Sequence, residues 1–186
     1  MGYGFSDGDP DADIWPVPGT LQPAPWGAAK GAQCLLTLKE AGTDTPLWFE
    51  PRVVLSNVAA KLAELNLTPV IAMELEFYLI DKERTADGGP QPPIHPRTGQ
   101  RRWAGNVYGL DELEDYDDLL TTITQVCKAQ NIPASTAISE YGAGQFEINL
   151  EHVDDPLKAA DDAAFLRRAI LMAAREVGYD ATFLSK

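Results

Sequence analysis

The sequence has little of what redox, zinc and membrane chemistry use. Its 186 residues include two cysteines and two histidines. Cys34 and Cys127 lie far apart and in no C-x-x-C spacing, so a disulfide framework is unsupported and a reducing compartment is expected. His95 and His152 lack zinc-ligand spacing and read as surface residues. No apolar run approaches the roughly 20 residues of a membrane span. The opening stretch, Met1 to Asp7, carries neither a basic nor an apolar segment, so no secretory signal is read and a cytoplasmic location is expected. Basic residues are outnumbered, 15 Lys and Arg against 28 Asp and Glu, for a net charge of −13. Such a surface repels phosphate backbones and anionic lipid, which argues against nucleic-acid and membrane-surface roles.

What is present is a chain long enough to bury a sizeable core, with 45% hydrophobic residues. Residues 1–31 are rich in Gly, Pro and Asp and predict irregular chain. Phe5, Trp15, Leu21 and Trp26 are interleaved there, so the loop is expected to pack on something. Ala32 to Leu38 reads as a strand, Gly42 to Asp44 as a turn and Leu47 to Phe49 as a short strand. Pro51 suits the first position of a helix, and Val54, Leu55, Val58, Ala59, Leu62 and Leu65 form one apolar stripe. Thr68 to Ile80 predicts a β run, and residues 82–107 a long polar loop of the functional or mobile kind. A second helix is expected over Asp111 to Asn131, its acidic start matching the positive end of the helix dipole. Ser135 to Glu140 and Gln145 to Leu150 read as strands. Asp155 and Pro156 open a third helix as N-cap and first residue, Gly178 closes it, and Ala181 to Leu184 begins another strand. This order predicts an α+β fold, with helices on one face of a largely antiparallel sheet.

The chemistry is concentrated in acids. On a strand, residues i and i+2 share a face, so Glu74 and Glu76 project together. The same alternation puts Gln145, Glu147 and Asn149 on one face, with Phe146, Ile148 and Leu150 opposite. Glu140 ends its strand just before Gly142 and Gly144 turn the chain back, so both Glu140 and Glu147 can face the Glu74/Glu76 side. Alternating acids on a strand also read as a plain solvent-facing side. Against that, Val70 to Ala72 and Phe77 to Ile80 are apolar on both alternating sets, so the strand is expected to be buried on both faces. Buried acids without partners are too costly to keep. Four carboxylates in one place raise one another's pKa and call for cations, and an oxygen-only donor set suits Mg²⁺ or Mn²⁺.

The block Glu74-Leu75-Glu76-Phe77-Tyr78-Leu79 and the block Glu140-Tyr141-Gly142-Ala143-Gly144-Gln145-Phe146-Glu147 resemble the two N-terminal metal-binding motifs of the glutamine synthetase family. The likeness is nearest to its γ-glutamylpolyamine synthetase (glutamate–putrescine ligase) branch, through Pro16 to Leu21 with Pro25-Trp26, Gly89 to Pro93, Val107 to Asp111 with Leu113 to Tyr116, and Gln145 to Leu150. The resemblance implies that 1–48 end a β-grasp-like N-terminal domain and that 49–186 are the first part of the catalytic domain. It implies that Glu76, Glu140 and Glu147 ligate an acceptor-side metal and Glu74 a metal holding the nucleotide phosphates, with Asp7 a weaker candidate acid lent to a neighbouring subunit's site. ATP would phosphorylate the γ-carboxylate of glutamate, and an amine, ammonia or a polyamine such as putrescine, would attack the acyl phosphate, within a homo-oligomer. Ser135 stands where some members carry an acid at the nucleotide, so nucleotide contacts do not carry over. The family's other site segments are expected outside these residues, leaving an incomplete site with little ligase activity. The competing reading is a non-catalytic metal-binding or assembly module that pairs with full-length homologues.

Overall fold

The computed structural model describes residues 11–27 and 31–184. Asp7 lies outside them. The elements run β1 (Ala12–Pro16), β2 (Gln22–Ala24), β3 (Gly31–Gln33), β4 (Leu36–Glu40), α1 (Pro51–Glu64), β5 (Glu74–Ile80), α2 (Leu110–Asp115), α3 (Asp117–Ala129), β6 (Ala134–Ser139), β7 (Gln145–Leu150), α4 (Pro156–Glu176) and β8 (Asp180–Thr182). The central sheet has the order β6-β7-β5-β8, and every pairing in it is antiparallel. Two small antiparallel pairs, β1–β4 and β2–β3, stand beside it. The expected α+β layout is therefore present.

The core forms because period-2 strands put one apolar face against period-3.6 helices. Phe77 and Leu79 from β5 and Phe146, Ile148 and Leu150 from β7 point to one side. They meet Leu119, Ile123 and Cys127 of α3 and Phe165, Leu166, Ile170, Ala173 and Ala174 of α4. Each such side chain contributes about 1.5–3 kcal/mol when taken fully out of water. That face is covered, so the opposite face of β5 and β7 is the one left for chemistry. The caps behave as their sequences require: the Asp155 carboxylate accepts from the Leu157 and Lys158 amides, and Glu50 accepts from the Val53 amide.

Several expectations are corrected. The Pro-rich start holds two short strands, because β1 pairs with β4 from Ala12↔Glu40 to Pro16↔Leu36 as an edge ribbon, where proline is tolerated. The run over 32–38 is split into β3 and β4, and 48–49 form a turn in place of a strand. The β run begins at Glu74 and not at Thr68. The long acidic helix is broken at Tyr116, whose φ of −115° and ψ of 26° leave the helical region. The break lets the buried Tyr116 ring lie edge-on to Phe146, with centroids 5.3 Å apart. Finally, α1 has the predicted extent but buries none of its residues, and Val54, Val58 and Leu65 of its stripe are exposed. Arg52 nevertheless ties its first turn to Asp161 of α4.

Candidate functional site

The register of the central sheet brings the sequence-predicted acids together. Glu76 of β5 stands directly opposite Glu147 of β7, and Glu74 opposite Asn149. Opposed residues on one face of an antiparallel pair have Cβ atoms about 4.5–5.5 Å apart. On the other side of β7, Ile138 pairs with Glu147 and Ser139 with Phe146, so Glu140 follows directly at the strand end. Its amide donates to the Gln145 carbonyl at 2.9 Å, which closes the hairpin. All four glutamates therefore lie on or beside one sheet face, opposite the core.

The turn between Glu140 and Glu147 is built from small residues for a steric reason. Gly144 has φ of +69°, and a Cβ there would meet Pro93 Cδ at 3.0 Å. Gly142 faces the Tyr78 ring, whose Cε1 would lie 2.5 Å from an added Cβ. The Gly142 amide donates to Gln145 Oε1 at 2.8 Å, and Gln145 Nε2 donates to Glu76 Oε2 at 2.6 Å. Buried Gln145 thus links the turn to a carboxylate on the neighbouring strand. Sequence alternation placed Gln145 on this face; its Gly142 partner is local to the turn, and its Glu76 partner depends on cross-strand register.

Electrostatics record the crowding. Glu147 has its pKa raised, first by burial and then by Glu74, Glu140 and Glu76, against a lowering hydrogen bond from Asn149. The expectation of a strand buried on both faces is corrected here: Glu74 and Glu76 are exposed, and only Glu140 and Glu147 are half-buried. The reason is that this face is open at Glu74 and Glu76, though closed over the buried Gln145, whereas α3 and α4 cover the other. As placed, no group of three or more His, Cys, Asp or Glu side chains among the described residues could hold a metal ion. The four carboxylates share a face without converging on a point, and Glu76 Oε2 is committed to Gln145. The donor types fit a hard, oxygen-seeking cation; convergence requires side-chain rotation.

The histidines part company. His152 is exposed, as expected. His95 is not a surface residue: it is 2% exposed, with Nε2 3.0 Å from Asp115 Oδ2 and 3.9 Å from Glu112 Oε1. Arg97 pairs with Asp115 at 3.0 Å and Arg102 with Glu112 at 2.8 Å. Two guanidinium groups neutralise the two acids, so this is an ionic anchor for the 82–107 loop and not a vacant cation cage. Its only sequence signal was the pairing of scattered basic residues in that loop with the acids of the next helix. Among the described residues no helix is long and apolar enough to cross a membrane.

Comparison with known proteins bears on the family and the fold. The chain is 40% identical over 185 residues to γ-glutamylputrescine synthetase PuuA of Escherichia coli K12, spanning 100% of this chain and 39% of that protein. It is 31% identical over 184 residues to glutamate–isopropylamine ligase of a Pseudomonas species, again covering 39% of the relative. It therefore spans well under half the length of these relatives. A solved GmaS/ADP complex superposes with a TM-score of 0.79 at 26% identity, covering 98% of this chain and 39% of that one. Residues 49–186 match the glutamine synthetase catalytic domain, and the chain belongs to the glutamine synthetase family.

Proposed function

We propose that this chain contributes to an ATP-dependent ligation of an amine to the γ-carboxylate of glutamate through a γ-glutamyl phosphate. The observation that carries it is the cross-strand pairing of Glu76 with Glu147, flanked by Glu74 and Glu140, on the open face of a family catalytic domain. Relatives named for putrescine and isopropylamine ligation favour an organic amine as acceptor. Residues 1–48 belong, on this reading, to the end of a preceding β-grasp-like domain, and the working enzyme is a homo-oligomer.

Glu76, Glu140 and Glu147 would hold one Mg²⁺ or Mn²⁺ on the acceptor side, and Glu74 would contribute to a second on the nucleotide side. Bound there, divalent cations neutralise and orient a transferring phosphoryl group. The protein's own part is to keep four carboxylates on one rigid sheet. Two antiparallel strands with a packed rear face hold the backbone of Glu74, Glu76 and Glu147, and the glycine turn holds Glu140. In the reaction, the glutamate γ-carboxylate oxygen takes the terminal phosphoryl group and ADP leaves. The amine nitrogen then attacks the acyl carbon, phosphate leaves and the nitrogen loses a proton.

A Mn²⁺ titration by calorimetry on wild type, Glu147→Ala and Glu76→Ala tests the cation site. The expected result is binding by wild type and a tenfold or larger loss in each variant. A folded wild type that takes no Mn²⁺ sinks the proposal for this chain. One observation favours a second reading, a non-catalytic module that pairs with full-length relatives: α1 leaves Val54 and Val58 exposed along one face. Co-purification with a full-length homologue, abolished by Val54→Asp with Val58→Asp, would support it.

A further inference from the structure

We propose that Gly105 is a positioning residue for Glu140: by lacking a side chain it lets the preceding loop close on the glycine turn and fix Glu140 relative to Glu147. The inference rests on reading these glutamates as a cation site, and its test separates the two.

The segment 93–109 encloses the turn from both sides. On one side the buried Pro93 lies against Gly144. On the other, the Gly105 amide donates to the Tyr141 carbonyl at 3.0 Å and the Tyr108 amide to the Ser139 carbonyl at 2.8 Å. Ser139 Oγ donates back to the Asn106 carbonyl at 3.1 Å. These bonds bracket Glu140, which lies just past the last strand pair, Ser139↔Phe146.

The fit at Gly105 is tighter than any side chain allows. A Cβ there would lie 2.5 Å from the Gly142 carbonyl oxygen and 2.6 Å from that of Glu140. Both are backbone atoms, so no side-chain rotation relieves the clash. Either the loop or the turn must move. The loop is anchored on α2, through His95, Arg97 and Arg102 on Glu112 and Asp115, with His95 and Glu112 both buried. The turn is also held to β5, where the Leu79 amide donates to the Gly144 carbonyl at 2.8 Å. Whichever side yields, a methyl group at position 105 parts the loop from the turn and breaks the bonds that bracket Glu140.

The test is Gly105→Ala in the same chain, with two readouts. The first is amide hydrogen exchange without metal, at the Tyr108 and Glu140 amides and at the core Phe77 and Phe146 amides. The second is Mn²⁺ affinity by calorimetry. The expected result is exchange at Tyr108 and Glu140 faster by at least tenfold, core exchange within twofold of wild type, and Mn²⁺ binding weaker by at least tenfold. Unchanged exchange at Glu140 overturns the proposal, as does faster exchange with wild-type Mn²⁺ affinity. If wild type itself takes no Mn²⁺ while exchange at Glu140 still rises tenfold, the positioning role stands and the cation reading fails. Should Gly105→Ala not fold, Arg102→Gln loosens the anchor without adding a Cβ. Faster Glu140 exchange then supports the buttress, and unchanged exchange overturns it.

Discussion

Removing one charge from the carboxylate face should stabilise the metal-free protein. Glu147 lies opposite Glu76, and its pKa is raised by burial and by Glu74, Glu140 and Glu76. A carboxylate whose folded pKa exceeds its unfolded value binds protons more readily in the folded state. Its ionised form therefore destabilises the fold, fully above the folded pKa, and the cost fades as pH falls through that pKa toward the unfolded value. Like charges directly opposed on a sheet cost about 0.2–1 kcal/mol. For a chain of this size about 1 kcal/mol moves Tm by about 2–4 °C. Glu147→Gln keeps the shape and a partner for Asn149, so at pH 7 without metal it should raise Tm by about 1–4 °C. Near pH 3.5, where wild type is protonated too, the gain should vanish. With Mn²⁺ at 100 times its dissociation constant, wild type gains about 2.7 kcal/mol by mass action. At tenfold weaker affinity the variant gains only about 1.4 kcal/mol, so the order of the two melting temperatures should invert. Differential scanning fluorimetry at two pH values, with and without Mn²⁺, measures all of this. A lower metal-free Tm for Glu147→Gln at pH 7 would refute the argument that these carboxylates repel one another.

Other outcomes follow from single contacts. Gln145→Leu removes the bond to Glu76 and leaves the Gly142 amide unpaired; with Glu76 exposed, the loss should be about 2 kcal/mol, read as a shift in denaturant midpoint. Asp155→Ala removes the N-cap bonds to Leu157 and Lys158 and should cost about 1 kcal/mol in the same assay. Phe146→Ala empties the centre of the core and should cost about 3–5 kcal/mol, read as a shift in denaturant midpoint by circular dichroism. Burial pushes the Cys127 thiol up to about 11, while Cys34 is exposed. Ellman titration at pH 8 should find one reactive thiol in the native protein and two in guanidinium.

Much of this was legible where a local rule suffices. Period-2 alternation placed Gln145, Glu147 and Asn149 together and Phe146, Ile148 and Leu150 behind them, and the burial pattern of β7 agrees from Phe146 to Leu150, while Gln145 is buried under its own contacts. Asp155-Pro156 and Gly178 bounded α4 because caps act within a few residues. The misses have a common cause. The α2–α3 break at Tyr116, the pairing of β1 with β4 and the burial of His95 depend on partners far along the chain.

The sequence by itself determined which residues alternate, which helices start where, and which acids share a strand face, because those follow from backbone geometry within one element. Only the tertiary structure decided that Glu76 stands opposite Glu147, that Gln145 spans the two strands, and that the 93–109 segment grips the Glu140 turn. Register and loop closure are set by contacts between elements, and a one-residue slip of β5 would send Glu74 and Glu76 to the core side.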